Sequence, residues 1–151
     1  MAWVAPRTWV AGETVTSAML NQHIRDNLNT LSDRAIAIGL GQAGAGVLTT
    51  GVKLYLEIPA ALTITGWTLV AFQSGSIVID LWKDTYANAP PTVADTITAA
   101  AKPTLSSAQK NQDLTLTGWT TGITMGDVLG VNIDSVSTIE QVTLTLRCEP
   151  A

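Results

Sequence analysis

The chain has 151 residues, a formal net charge of −4, and charged residues make up only 13% of it, about half the usual ~25%. No Lys/Arg cluster offsets the negative balance, which argues against a nucleic-acid binder. A single cysteine, Cys148, precludes an internal disulfide, and no run approaches the ~18 apolar residues of a spanning helix, so membrane insertion is not expected either. The length suits one good core with a small appendage. There are 22 threonines among abundant Val, Ile and Gly, a balance that favours β structure. The opening MAWVAPRTWV lacks a basic stretch followed by an apolar one, so no signal peptide is expected.

The first twelve residues carry Trp3 and Trp9 with Pro6 and Arg7 between them. Pro6 and Gly12 disfavour a regular helix here. With no core evident this early, the segment reads as an arm whose indoles dock on another protein, since Trp and Arg are enriched at interface hot spots. Thr16 is the expected N-cap of a helix running to Ile38. Met19 occupies the position where a capping box would have Glu or Gln. Apolar residues at Ile24, Leu28, Leu31, Ala35 and Ile38 alternate in steps of four and three, which is the seam of a coiled coil. Extended backwards, the seam puts Asn21 at a position where a polar residue sets register. Gln22, Arg25, Asp26, Asn29 and Asp33 form the opposite, wet face. So narrow a seam reads either as an oligomerisation helix or as an amphipathic helix lying on its own domain. His23 sits beside it without a Cys, His or carboxylate pattern that would suggest a metal.

Residues 39–46 form a Gly-rich hinge between this anchor (1–38) and a β domain (47–151). Gly39, Gly41 and Gly44 spell GxGxxG. A dinucleotide fingerprint must follow a strand and open a helix; this one follows the expected helix and leads into a strand. From residue 47 the period changes to two. Val52, Leu54, Leu56 and Ile58 alternate with Lys53, Tyr55 and Glu57. Further strands are expected over 62–72, with Gln73-Ser74-Gly75 as a turn, then over 76–82, weakly over 95–99, over 114–119, 128–134 and 142–147. Residues 83–94 read as a loop, and 102–113 as a short helical turn or loop. About eight strands with turns at short intervals predict an antiparallel β-sandwich of jelly-roll type. Thr65-Gly66-Trp67-Thr68 recurs as Thr117-Gly118-Trp119-Thr120. A Gly-Trp pair within a strand suits a bulge that turns the aromatic into the core.

The chain carries few groups for catalysis. There is one histidine, no GxSxG, and Cys148 lies near the end without a nucleophile's signature. No catalytic, cofactor or metal site is expected, and the chain does not read as an enzyme. The scattered aspartates suit turns and caps. Asp80 differs, because Val78 and Trp82 make its own strand face apolar; if buried, it needs a partner, which a threefold axis or a bound ion could supply. Trp82 and Tyr86 are the candidate contacts for a host-surface glycan.

TWVAGETVTSAMLNQHIRDNL resembles the N-terminal motif W-x-x-G-E-x-x-T-x-x-x-L-N-x-x-I-R-D-N-L of tailed-bacteriophage virion proteins. The matching positions are Trp9, Gly12, Glu13, Thr16, Leu20, Asn21, Ile24, Arg25, Asp26, Asn27 and Leu28. The stretch from Ile77 to Ser135 also resembles phage tail-fibre and related structural proteins. The resemblance implies a non-enzymatic structural protein of the virion, homotrimeric or otherwise oligomeric. Tail fibre, baseplate or tip, head fibre and capsid decoration are the stations it allows. It implies anchoring to other virion proteins through the N-terminal segment, here Trp3, Trp9, Gly12, Glu13, Leu20, Asn21, Ile24, Arg25, Asn27, Leu28 and Leu31.

Overall fold

The computed structural model describes residues 4–5, 7–25, 27–28 and 34–151. The chain divides into two compact units, residues 1–34 and 35–151. Expectations that fall on Trp3, Pro6, Asp26, Asn29, Leu31 and Asp33 lie outside the described residues.

The second unit is mainly β, a curled antiparallel sheet of the sandwich-like kind expected. Its strands are β1 (Arg34–Gly41), β2 (Gly51–Glu57), β3 (Leu62–Thr85), β4 (Thr104–Asp113), β5 (Gly122–Ile123), β6 (Asp127–Ser137) and β7 (Gln141–Pro150). The main path runs β1-β7-β3-β6-β2, and β4 and β5 add to β3. The 24-residue β3 is the spine. Its first half pairs with β7 from Leu62 to Ala71, and its second half pairs with β6 from Ser76 to Thr85.

One bulge sets the phase of that spine. Leu62 and Ile64 point into the core; after the register shift between Ile64 and Gly66 the inward set becomes Trp67, Leu69 and Ala71. A one-residue slip in a period-two strand moves every later side chain to the other face. The first TGWT therefore forms the expected bulge. The second lies in a turn instead, where Trp119 is still carried into the core and its indole N–H donates to the Ala101 carbonyl at 2.9 Å.

Several expected elements differ. The helix does not reach Ile38: residues from Arg34 onward form β1, where Ile36, Ile38 and Leu40 alternate with Ala35, Ala37 and Gly39. Ile38 and Leu40 are core residues, and burial against β7 outweighs the helical spacing. The hinge shrinks correspondingly, because Gly39 and Gly41 belong to the strand. Gln73-Ser74-Gly75 does not end a strand, since β3 bends through it. A Cβ on Gly75 would stand 2.4 Å from Thr138 Oγ1 and 2.7 Å from the Ser137 carbonyl, so only glycine permits that approach. Residues 104–113, read as a helical turn or loop, form β4, a strand exposed along most of its length. Leu114 to Trp119 is not a strand.

Candidate functional site

The N-terminal unit is built around an arm fastened to a short helix. Thr16 caps α1 (Ser17–Leu20) as expected, its Oγ1 accepting the Met19 N–H at 3.3 Å. One π-helical turn, Asn21–Arg25, continues it. Ahead of the cap, Gly12 takes a left-handed φ of +82°, open to glycine at little cost. The turn closes with the Glu13 N–H on the Val10 carbonyl at 3.1 Å. The Glu13 carboxylate receives the Arg7 guanidinium, which also lies over the Trp9 ring at 5.0 Å. Trp9 meets the His23 ring edge-on, with centroids 6.3 Å apart. Asn27 closes the assembly: its Oδ1 accepts the Val4 N–H at 3.0 Å and its Nδ2 donates to the Val4 carbonyl at 2.9 Å. The amide thus satisfies both backbone groups of one arm residue, as a neighbouring strand would. It is only 5% exposed.

These contacts sort the motif residues into two sets. Trp9 and Asn27 hold the arm to the helix, Gly12 and Glu13 shape the arm's turn, and Thr16 caps α1. Leu20, Ile24 and Leu28, four residues apart, share the helical face and are exposed, with Val10 and Val15 also open to solvent. Asn21 and Arg25 are exposed as well. Among the described residues of this unit the only buried side chain is polar, that of Asn27. The coiled-coil seam is not continuous, because Ala35 and Ile38, its last two positions, lie in β1.

In the β unit Asp80 is fully buried, and the chain itself supplies partners for it. Thr96 and Thr98 each donate a hydroxyl to Oδ1 at 2.6 Å, and the Lys102 ammonium lies 3.0 Å from Oδ2. Lys102 also reaches Asp134 at 2.6 Å, and Asp134 accepts from Asn132 at 2.7 Å. Burial pushes the Asp80 carboxyl up, but the hydroxyls of Thr96 and Thr98 and the Lys102 ammonium outweigh it and hold the group below its ordinary value. The Asp134 contact, opposed by partial burial and aided by Asp80, raises Lys102. Both groups are held charged, as a structural pair requires. Asp127, buried beside the Gly126 turn, accepts the Thr124 N–H at 2.8 Å and pairs with Lys83 at 3.0 Å. Burial raises the Cys148 thiol, which disfavours the nucleophilic thiolate.

The glycan platform expected from Trp82 and Tyr86 is not built. Trp82 is 9% exposed and Tyr86 is 78% exposed. The chain after Tyr86 folds back, so that Trp82 bridges Thr96 and the Ile97 N–H donates to the Leu81 carbonyl. The aromatic that shares a cross-strand row with Trp82 is Tyr55, through Gly130 between them. Pro91 approaches the same glycine. Tyr55 was legible only as an outward strand residue, because the row depends on pairing across three strands. Among the described residues no group of three or more His, Cys, Asp or Glu side chains is placed to hold a metal.

No family model, curated protein or solved structure matches this chain.

Proposed function

We propose that the chain is a structural protein of a tailed-bacteriophage virion, anchored to the particle through its N-terminal unit. One observation carries this reading: the N-terminal unit has no apolar core among its described residues, yet it presents Trp9, Val10, Val15, Leu20, Ile24 and Leu28 to solvent. At 34 residues it falls below the about 40 at which a segment folds unaided without disulfide, metal or partner. Among its described residues the contacts that shape it are an ion pair, an aromatic contact and the Asn27 amide, and none of them buries an apolar side chain. The phage-like motif supplies both the fastening residues and the exposed apolar row. A virion supplies what such a segment needs, a fixed apolar seat for each copy.

The test replaces the exposed row and leaves the fastening intact. In the phage that carries the gene, the triple variant Leu20→Ser, Ile24→Ser, Leu28→Ser is expected to fall from purified particles by tenfold or more, with the soluble protein still folded. Cross-linking from position 24 of the wild type then identifies the seat on tail, baseplate or head. Full incorporation of the triple variant would contradict the reading.

A further inference from the structure

A sheet that does not close has open edges, and an open edge is a template for another strand. Three long strands of the β unit have one side unpaired among the described residues: β1 and β2 at the two ends of the path, and β4, which pairs only with β3. Two of the three carry the features that keep edges apart. In β4 a proline precedes the strand, Lys110 and Asp113 charge it, Ser107 has a left-handed φ of 47°, and the register with β3 shifts twice. In β2 Lys53 and Glu57 charge the strand, a register shift falls between Val52 and Leu54, and Pro59 follows closely. Charge, bulges and proline are the usual protection of an edge. In β1 the only charge is Arg34 at the first position and the only left-handed residue is Gly41 (φ 75°) at the last; between them Ala35 to Leu40, AIAIGL, carries no charge, proline or left-handed residue.

We propose that the β1 edge is an interface, and that its occupant is β1 of a second copy, paired antiparallel about a two-fold axis. The strand suits itself. On its outer face Ala35, Ala37, Gly39 and Gly41 carry a methyl group or a hydrogen, so that face of the junction holds no bulky or charged side chain. Its core-side positions, Ile36, Ile38 and Leu40, meet their own kind and continue the apolar layer, and Ile36, only partly buried in one copy, gains cover. The whole chain carries −4, yet Ala35 to Gly41 carry no charge, and antiparallel pairing in register sets the two Arg34 residues at opposite ends of the junction, so two copies meet here with little like-charge repulsion. An isologous strand pair closes on itself and leaves no β1 edge for a third copy. This pairing stands apart from the anchoring role and needs no contribution from the N-terminal unit.

The full-length chain tests it by sedimentation and by cysteine pairing. The wild type is expected at the mass of two copies, and Ala37→Lys, a protecting charge on the edge, is expected to raise the dissociation constant by about tenfold or more. Single cysteines placed by Ala35→Cys, Ala37→Cys and Gly39→Cys are expected to give an intermolecular disulfide in at least one register on mild oxidation, while buried Cys148 stays unlinked in the wild type. A wild type that sediments as one copy overturns the proposal. So does a larger assembly in which none of the three positions cross-links, a result that leaves the anchoring reading standing. Loss of the N-terminal variants from particles leaves this pairing standing in turn.

Discussion

The two units of this chain reach order by opposite means. The β unit buries a continuous apolar core, from Ile38 and Leu40 in β1 through Leu69, Ile79 and Leu129 to Leu144, and its fully buried carboxylate, Asp80, has partners from three directions. The N-terminal unit shows no buried apolar side chain among its described residues and is tied by an ion pair, an aromatic contact and one amide. Burial of apolar surface is the dominant favourable term in folding, while an exposed ion pair contributes little. The β unit thus carries its own apolar core, and the described part of the N-terminal unit does not. A segment of that kind is suited to attachment, because its ordering and its binding are one event.

Cutting the chain between Arg34 and Ala35 gives the largest expected effect. Residues 35–151 alone should keep a cooperative thermal transition within a few degrees of the full chain, and the peptide 1–34 alone should show no cooperative transition by circular dichroism. A cut after Ile38 should fare worse, because it removes half of β1 and a core side chain. Equal loss of structure in both fragments of the first cut would mean that the two units share one core.

Next in size is Lys102→Met, which strands the buried Asp80 carboxylate. Removing one partner of a buried pair costs about 3–5 kcal/mol, and denaturant unfolding should register most of that in the β unit alone. The pair also fixes a pH window. Asp80 is held below its ordinary 3.8, so its contribution is fully present above that value and is lost as pH falls through the lower folded value. Lys102 is held above its ordinary 10.5, so its contribution is present below that value and is lost as pH rises through the higher folded one. Stability from the pair is therefore flat between these limits in the wild type, and the acid-side loss should shrink in Asp80→Asn.

Gly75→Ala is expected to cost about 1–3 kcal/mol, the usual range for forcing a methyl into packed surroundings, because two of the atoms it meets are the Thr138 hydroxyl and the Ser137 backbone. The smallest effect on global stability should come from Asn27→Ala. Although Asn27 is as buried as many core residues, the β unit's unfolding should move by less than about 0.5 kcal/mol, as expected for independent sites. Incorporation into particles should fall nonetheless, because Val4 loses the partner of both its backbone groups.

The strands with clean alternation and one wet face, β2 and β7, were legible in the sequence because period two has no competing reading there. Thr16 as a cap and the Gly66-Trp67 bulge were legible for the same local reason. β1 was not, although its Ile-Ala alternation was present: Ala35 and Ile38 also continued a helical spacing, and only the neighbouring β7 decides between the periods. β4 was missed because a polar edge strand buries little and has no apolar face to reveal it. At the anchor, the residues were legible but not their division of labour, since the pairing of Asn27 with Val4 spans 23 positions. Asp80 could be read as buried from its apolar neighbours, whereas Thr96, Thr98 and Lys102 reach it only through the fold.

Amide hydrogen exchange on the intact chain, free in dilute solution and again within purified particles, tests the contrast between the units most directly. The account predicts amides of residues 4–28 that exchange within seconds in the free protein and become protected in the particle, beside a β unit protected in both. Strong protection of residues 4–28 in the free protein, or none gained in the particle, would contradict it.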